Sequence, residues 1–134
     1  MQKIIIHSDG GARGNPGPAG IGAVLNDESG AVLSEISRYL GETTNNQAEY
    51  RALTAALEKA KELQAEEVEC YLDSELVVKQ LNHEYKVKSP ELAPLFLNIH
   101  NLSLSFKKIK FIHVRREYNK EADRLANEAM DRHV

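Results

Sequence analysis

Tryptophan is absent, cysteine occurs once and proline only four times in the 134 residues. A lone cysteine, Cys70, excludes an intramolecular disulfide and any multi-cysteine metal site, and its alternating setting in Val68-Glu69-Cys70-Tyr71-Leu72 predicts a buried thiol. Few prolines, with 42% hydrophobic and 28% charged residues, exclude a disordered chain. No apolar run approaches the roughly 20 residues that a membrane-spanning helix needs; Ile4 to Ile6 and Ala19 to Leu25 are typical. The opening Met1-Gln2-Lys3 lacks the apolar stretch and small-residue cleavage site of a secretory signal, so a cytoplasmic location without membrane association is expected. Excess positive charge is missing too. Seventeen Lys plus Arg against twenty Asp plus Glu leave a net charge of -3, the opposite of a protein that adheres to nucleic acid by bulk charge. A polyanion partner must meet a local basic patch, and Lys107, Lys108, Lys110, Arg115, Arg116, Lys120 and Arg124 crowd into positions 107–124; a solvated face would have the same composition.

What remains is an ordinary globular composition, of a length that fits one domain over 1–134 and buries roughly two-thirds of its unfolded surface. The isoleucine-rich run Lys3 to Ser8 reads as a buried strand turned at Asp9-Gly10-Gly11. Gly20 to Leu25 and Ala31 to Tyr39 read as two further strands joined through Asn26-Asp27-Glu28-Ser29-Gly30, making an antiparallel meander. Thr44-Asn45-Asn46-Gln47 fits a capping box, and Ala48, Ala52, Leu53, Ala56, Leu57, Ala60 and Leu63 follow at helical spacing. Glu67 to Leu72 alternates as a fourth strand and runs into Asp73-Ser74, whose serine can cap a second helix. Ser89-Pro90 predicts the opening of a third helix through Leu92, Leu95, Phe96, Ile99 and Leu102. Ile109 to Val114 is a fifth strand, and Asn119 a cap for a last helix carrying Ala122, Leu125, Ala126 and Ala129. Antiparallel strands followed by strand-helix alternation predict an α/β fold with a five-stranded mixed sheet, the later strands parallel and flanked by helices.

In open sheets of this kind the functional crevice lies beyond the carboxyl ends of the strands, where the strand order reverses. Asp9 ends the first predicted strand and Asp73 follows the fourth, so parallel neighbours would present both acids on one rim. Glu49 falls early in the long helix and Asp123 early in the last. Singly, each has an ordinary explanation as a turn residue or a favourable charge near a helix N-terminus. Converging without a cation they would repel, and a divalent metal is the natural occupant; hard oxygen ligands suit magnesium. Two such ions clamp the attacking and leaving oxygens of a phosphodiester, which points to metal-assisted phosphoryl transfer.

Four stretches carry a resemblance: Asp9 to Gly20, Thr43 to Glu49, Leu72-Asp73-Ser74, and Asn119 to Ala126. In this order they make the chain similar, across nearly its whole length, to the type 1 ribonuclease H family in a compact form. The resemblance implies a five-stranded mixed sheet and endonucleolytic hydrolysis of the RNA strand of an RNA-DNA hybrid, using two magnesium or manganese ions and leaving 5'-phosphate and 3'-hydroxyl ends. It implies Asp9, Glu49, Asp73 and Asp123 as the metal-binding catalytic acids, with Asp9 bridging, Glu49 and Asp73 on one ion and Asp123 on the other. It implies Gly10, Gly11, Asn15, Asn45 and Asn46 as minor-groove and sugar contacts and Thr44 as a contact to a DNA-strand phosphate. Reading the 2'-hydroxyl is what separates RNA from DNA, and Glu49 can accept a hydrogen bond from it.

The chain departs from the family pattern at four places. Glu42 stands where members often carry an arginine, and Asn82 to Lys88 passes directly to Ser89-Pro90 where many bacterial members insert a basic helix. Glu75 replaces a neutral amide, and the loop holding a mobile histidine is shortened, leaving His113 in a strand pattern. Arg116, and secondarily Arg115, is therefore the expected cation on the leaving-group side, with His113 a half-buried strand residue. No protein partner is evident and a monomer is expected. The alternatives are another two-metal nuclease on the same sheet, or a noncatalytic hybrid-binding module, which a missing acid would favour. A phosphate-binding loop does not fit, because Gly10 to Gly22 contains no Gly-Lys-Ser/Thr triplet and leads into a strand.

Overall fold

The computed structural model describes residues 2–133. Its elements run β1 (Lys3–Ala12), β2 (Gly17–Asn26), β3 (Val32–Thr43), α1 (Asn45–Glu62), β4 (Glu67–Leu72), α2 (Glu75–Leu81), α3 (Ala93–Ser103), β5 (Lys108–His113), a 3-10 turn at Arg116–Tyr118, and α4 (Lys120–Asp131). The sheet order is β3-β2-β1-β4-β5. β1 pairs antiparallel with β2 and parallel with β4, and β4 parallel with β5, the mixed sheet that the element pattern predicts.

The first strand is longer than its apolar run. Asp9-Gly10-Gly11 does not turn: β1 continues to Ala12, paired only with β2 from Asp9↔Gly22 to Ala12↔Ala19. Its parallel pairing with β4 stops at Ser8↔Leu72, so β1 runs on alone beside the gap left by the departing chain. Asp9 and Asp73 follow that last pair on neighbouring parallel strands, which puts both carboxylates on one rim.

α1 lies against β1 and β2 on one face, while α4 packs on β2, β3 and β1. Ile4, Ile6, Leu53, Leu57, Val68 and Leu72 are fully or almost fully buried between the sheet and the α1 side, and Cys70 is buried with them. Two glycines set how closely the helices approach. A Cβ at Gly10 would sit 2.7 Å from the Glu49 nitrogen and overlap the Ala48 carbonyl; one at Gly22 would sit 2.5 Å from the Ala126 nitrogen and overlap the Ala122 carbonyl. Gly10 follows Asp9 and Gly22 is its register partner, so the two contacts that lack side chains are those that bring Glu49 and Asp123 toward Asp9.

The Thr44 capping box forms as its spacing predicts, with Gln47 N–H donating to Thr44 Oγ1 at 3.2 Å. Ser74 caps α2 likewise, accepting from Val77 N–H at 3.3 Å. The third helix starts later than Ser89-Pro90 suggests, because a helix opened at Pro90 would hold Pro94 in its interior, where the missing N–H and the ring clash are costly. The chain instead starts α3 at Ala93 and uses Pro94 in the first turn. Asn119 precedes α4 but makes no side-chain cap; its amide donates to the Ser8 carbonyl of β1 at 2.8 Å, buried.

Candidate active site

Asp9, Glu49 and Asp73 each offer one carboxylate oxygen to a group whose atoms lie within 4.8 Å of one another. Asp9 is 8% exposed and Glu49 7%. They sit in a cavity of about 460 Å³ whose walls come from the end of β1, the N-terminus of α1, the Asp73-Ser74 turn, Arg116 and one face of α4. Asp123 lies on the α4 wall of the same cavity, outside the tight group of three. Its Oδ1 accepts from Asn127 Nδ2 at 3.2 Å and lies 3.5 Å from Arg116. Four acids, from β1 just past its last pair with β4, from the first turns of α1 and α4, and from the turn after β4, thus line one crevice.

Burial, then the charges of Glu49 and Asp73, push the Asp9 carboxyl well above the usual carboxylate range. Burial likewise raises the Glu49 carboxyl, while its contact with Asp9 pulls the other way. Glu49 Oε2 is buried with no hydrogen-bond partner. A buried carboxylate oxygen left without a donor is costly unless a cation takes its place. Three hard oxygen donors, with an unpartnered oxygen on one of the three carboxylates, in a polar crevice fit a magnesium- or manganese-class ion. No neutral or sulfur ligand joins them among the described residues, as zinc would favour.

Of the expected substrate contacts, Gly10, Gly11, Asn45 and Asn46 line the cavity. Asn45 Oδ1 accepts from Ala12 N–H at 2.7 Å, and Asn15 Oδ1 accepts from Asn45 N–H at 3.1 Å. Both amides therefore have their carbonyl ends pinned to backbone, leaving NH2 groups to donate outward. Asn15 and Thr44 stand outside the cavity lining; Thr44 Oγ1 is engaged in the α1 cap.

Arg116 lines the cavity beside Asp123, whereas Arg115 turns to Glu117 at 3.6 Å. His113 is exposed rather than half-buried, as the last residue of the edge strand β5. Glu75 pairs with Lys79 at 3.1 Å and does not line the cavity. Sequence reasoning missed Arg13 and Asn127 on the cavity wall. Asn127 lies four residues after Asp123, the helical spacing that would have found it; nothing local marks Arg13.

A family model described as Reverse transcriptase-like matches residues 7–129. The chain is 47% identical over 130 residues to the Bifunctional protein Rv2228c of Mycobacterium tuberculosis, covering 96% of this chain and 36% of that protein. The chain thus spans about a third of the length of the first curated relatives it matches. The N-terminal RNase H domain of Rv2228c superposes with a TM-score of 0.94, covering 96% of this chain and 99% of that one at 47% identity. LC11-RNase H1, solved in complex with RNA/DNA hybrid, superposes at 0.92 with 50% identity, covering 96% of this chain and 97% of that one. Ribonuclease H of Chlorobium phaeobacteroides (strain BS1) is 34% identical over 146 residues, which cover 97% of each chain. With that match along nearly both whole lengths, and with the acids, the glycine contacts and the strand order described above, the chain belongs to the ribonuclease H family.

Proposed function

We propose that the chain is a ribonuclease H: a metal-dependent endonuclease that hydrolyses the RNA strand of RNA-DNA hybrids to 5'-phosphate and 3'-hydroxyl ends. The observation that carries this reading is the convergence of Asp9, Glu49 and Asp73 within 4.8 Å, with Asp123 on the wall of the same crevice. Asp9, Glu49, Asp73 and Asp123 hold two magnesium ions, or manganese in their place. When bound, such ions activate water and stabilise charge on the phosphate oxygens.

The chain's own groups do the rest. Gly10 and Gly11 offer backbone groups to the sugar, and Gly11, whose side-chain position is open, lets it approach closely. Asn15, Asn45 and Asn46 present amides to the minor groove, the first two with their NH2 groups outward, matching the acceptors that base edges display there. Thr44 takes a phosphate of the DNA strand. Glu49 accepts a hydrogen bond from the 2'-hydroxyl beside the cut, which selects RNA. Arg116 supplies fixed positive charge on the leaving side, where a guanidinium neutralises phosphate but cannot shuttle a proton near neutral pH. Residues 1–134 form a single catalytic domain that acts as a monomer in the cytoplasm. No helix among the described residues is long and apolar enough to cross a membrane.

The test is a hybrid labelled separately on each strand, incubated with magnesium or manganese beside duplex RNA, duplex DNA and single strands. Cutting of RNA in the hybrid, abolished by Asp9→Asn with the circular dichroism spectrum unchanged, is the expected result. Cutting of duplex DNA alone would refute the substrate, and an inert but tightly binding protein would favour a hybrid-binding module.

A further inference from the structure

Arg13 and Arg116 are the cationic side chains on the wall of the acidic cavity. A chain of net charge -3, with buried carboxylates at the site itself, repels a polyanion unless local cations flank the crevice. Arg116 stands by Asp123 near the start of α4. Arg13, just after β1, reaches Asp131 at the far end of the helix at 2.6 Å and Asn127 Oδ1 at 3.5 Å. Asp123 and Asp131 are two helical turns apart, which separates the two guanidiniums by about 12 Å along α4, at opposite ends of the crevice.

The pair that holds Arg13 is a weak restraint. Its side chain is 42% exposed and that of Asp131 64%, and solvent screens exposed pairs of this kind so that they contribute little. A guanidinium meeting a phosphate makes two parallel charge-assisted hydrogen bonds, a stronger arrangement than this solvated contact. The backbone beneath is fixed: Ala12 N–H donates to Asn45 Oδ1 at 2.7 Å and Arg13 N–H to the Pro18 carbonyl at 2.8 Å. The guanidinium therefore swings on a rigid base.

We infer that Arg13 is a second substrate anchor, taking a backbone phosphate of the nucleic-acid strand at the end of the crevice opposite Arg116, with Asp131 as its placeholder in the free protein. This rests on the nucleic-acid reading of the site. The test is fluorescence anisotropy of a labelled RNA-DNA hybrid across a salt series, with magnesium and in an Asp73→Asn background that prevents turnover. One phosphate contact contributes about 0.9 to the slope of log affinity against log salt. Arg13→Ala is expected to lower that slope by about 0.9, so its loss of affinity between 50 and 200 mM salt is about 3.5-fold smaller than the parent's. Arg13→Lys is expected to keep the slope, and Asp131→Asn to keep it while binding at least as tightly.

A slope unchanged in Arg13→Ala, with a fall in melting temperature that Asp131→Asn reproduces, would reduce Arg13 to a tether between loop and helix and overturn the inference. A parent protein that binds no hybrid at any salt would instead overturn the nucleic-acid reading, and the anchor with it.

Discussion

Gly22→Ala tests how the fold assembles the site. The added Cβ would lie 2.5 Å from the Ala126 nitrogen and 2.8 Å from Leu125 Cβ, whereas ordinary contact begins near 3.4 Å. Relief requires α4 to move away from β2 by more than the 0.9 Å that the Ala126 nitrogen alone demands, because the Ala122 carbonyl oxygen lies closer still, the clash is with helix backbone and no flexible side-chain end can give way. Overpacking of this sort costs about 1–3 kcal/mol, a fall of roughly 4–11 °C in melting temperature for a domain of this size. The movement carries Asp123 with it, and misplacement of a catalytic group by about 1 Å costs on the order of 100-fold in rate. The assay pairs thermal unfolding by circular dichroism with turnover on a labelled hybrid. Gly11→Ala is the steric control, because a Cβ there meets nothing closer than 3.9 Å and stability should hold. A Gly22→Ala protein with parental melting temperature and turnover would refute the claim that this close approach positions the acid.

Asp9→Asn should stabilise the metal-free protein at pH 7–8. Burial and neighbouring acids raise the folded Asp9 above its ordinary value of 3.8, so stability present below that pH is lost as pH rises toward the raised value. Asparagine removes that loss; the gain, about 1.4 kcal/mol for each pH unit over which the folded site alone keeps the proton, should vanish near pH 4, and a variant no more stable than the parent at pH 8 would contradict the raised value. Asn119→Ala leaves the Ser8 carbonyl without its buried donor and should cost about 1–3 kcal/mol in urea unfolding; a loss confined to α4 fraying, with β1 amides still protected from exchange, would show a cap role instead. Arg116→Ala should lower turnover while calorimetric metal binding is kept, and unchanged turnover would remove Arg116 from the leaving side.

Much of this architecture can be read before folding. The α1 helix is legible because Thr44 and Gln47 form a reciprocal cap and the apolar residues repeat at 3.6. Asp9 and Asp73 are legible as rim partners because each follows the apolar run of one of two parallel neighbours, whose pairing stops at Ser8↔Leu72. The extent of β1 is not: Gly10 and Gly11 carry turn chemistry, and only antiparallel pairing with β2, a tertiary fact, holds them extended. Asn119 misleads for a related reason, its amide being used by a carbonyl 111 residues away. Arg13 escapes notice because its partners, Asn127 and Asp131, are distant in sequence and meet it only when α4 docks.

The proposed chemistry depends on Asp9, Glu49 and Asp73 forming a cation site. Anomalous diffraction from crystals grown with manganese measures it most directly. A manganese peak is expected within bonding distance of all three carboxylates, including the otherwise unpartnered Glu49 Oε2. A cavity without a peak, or manganese bound only at other surface acids, would contradict it.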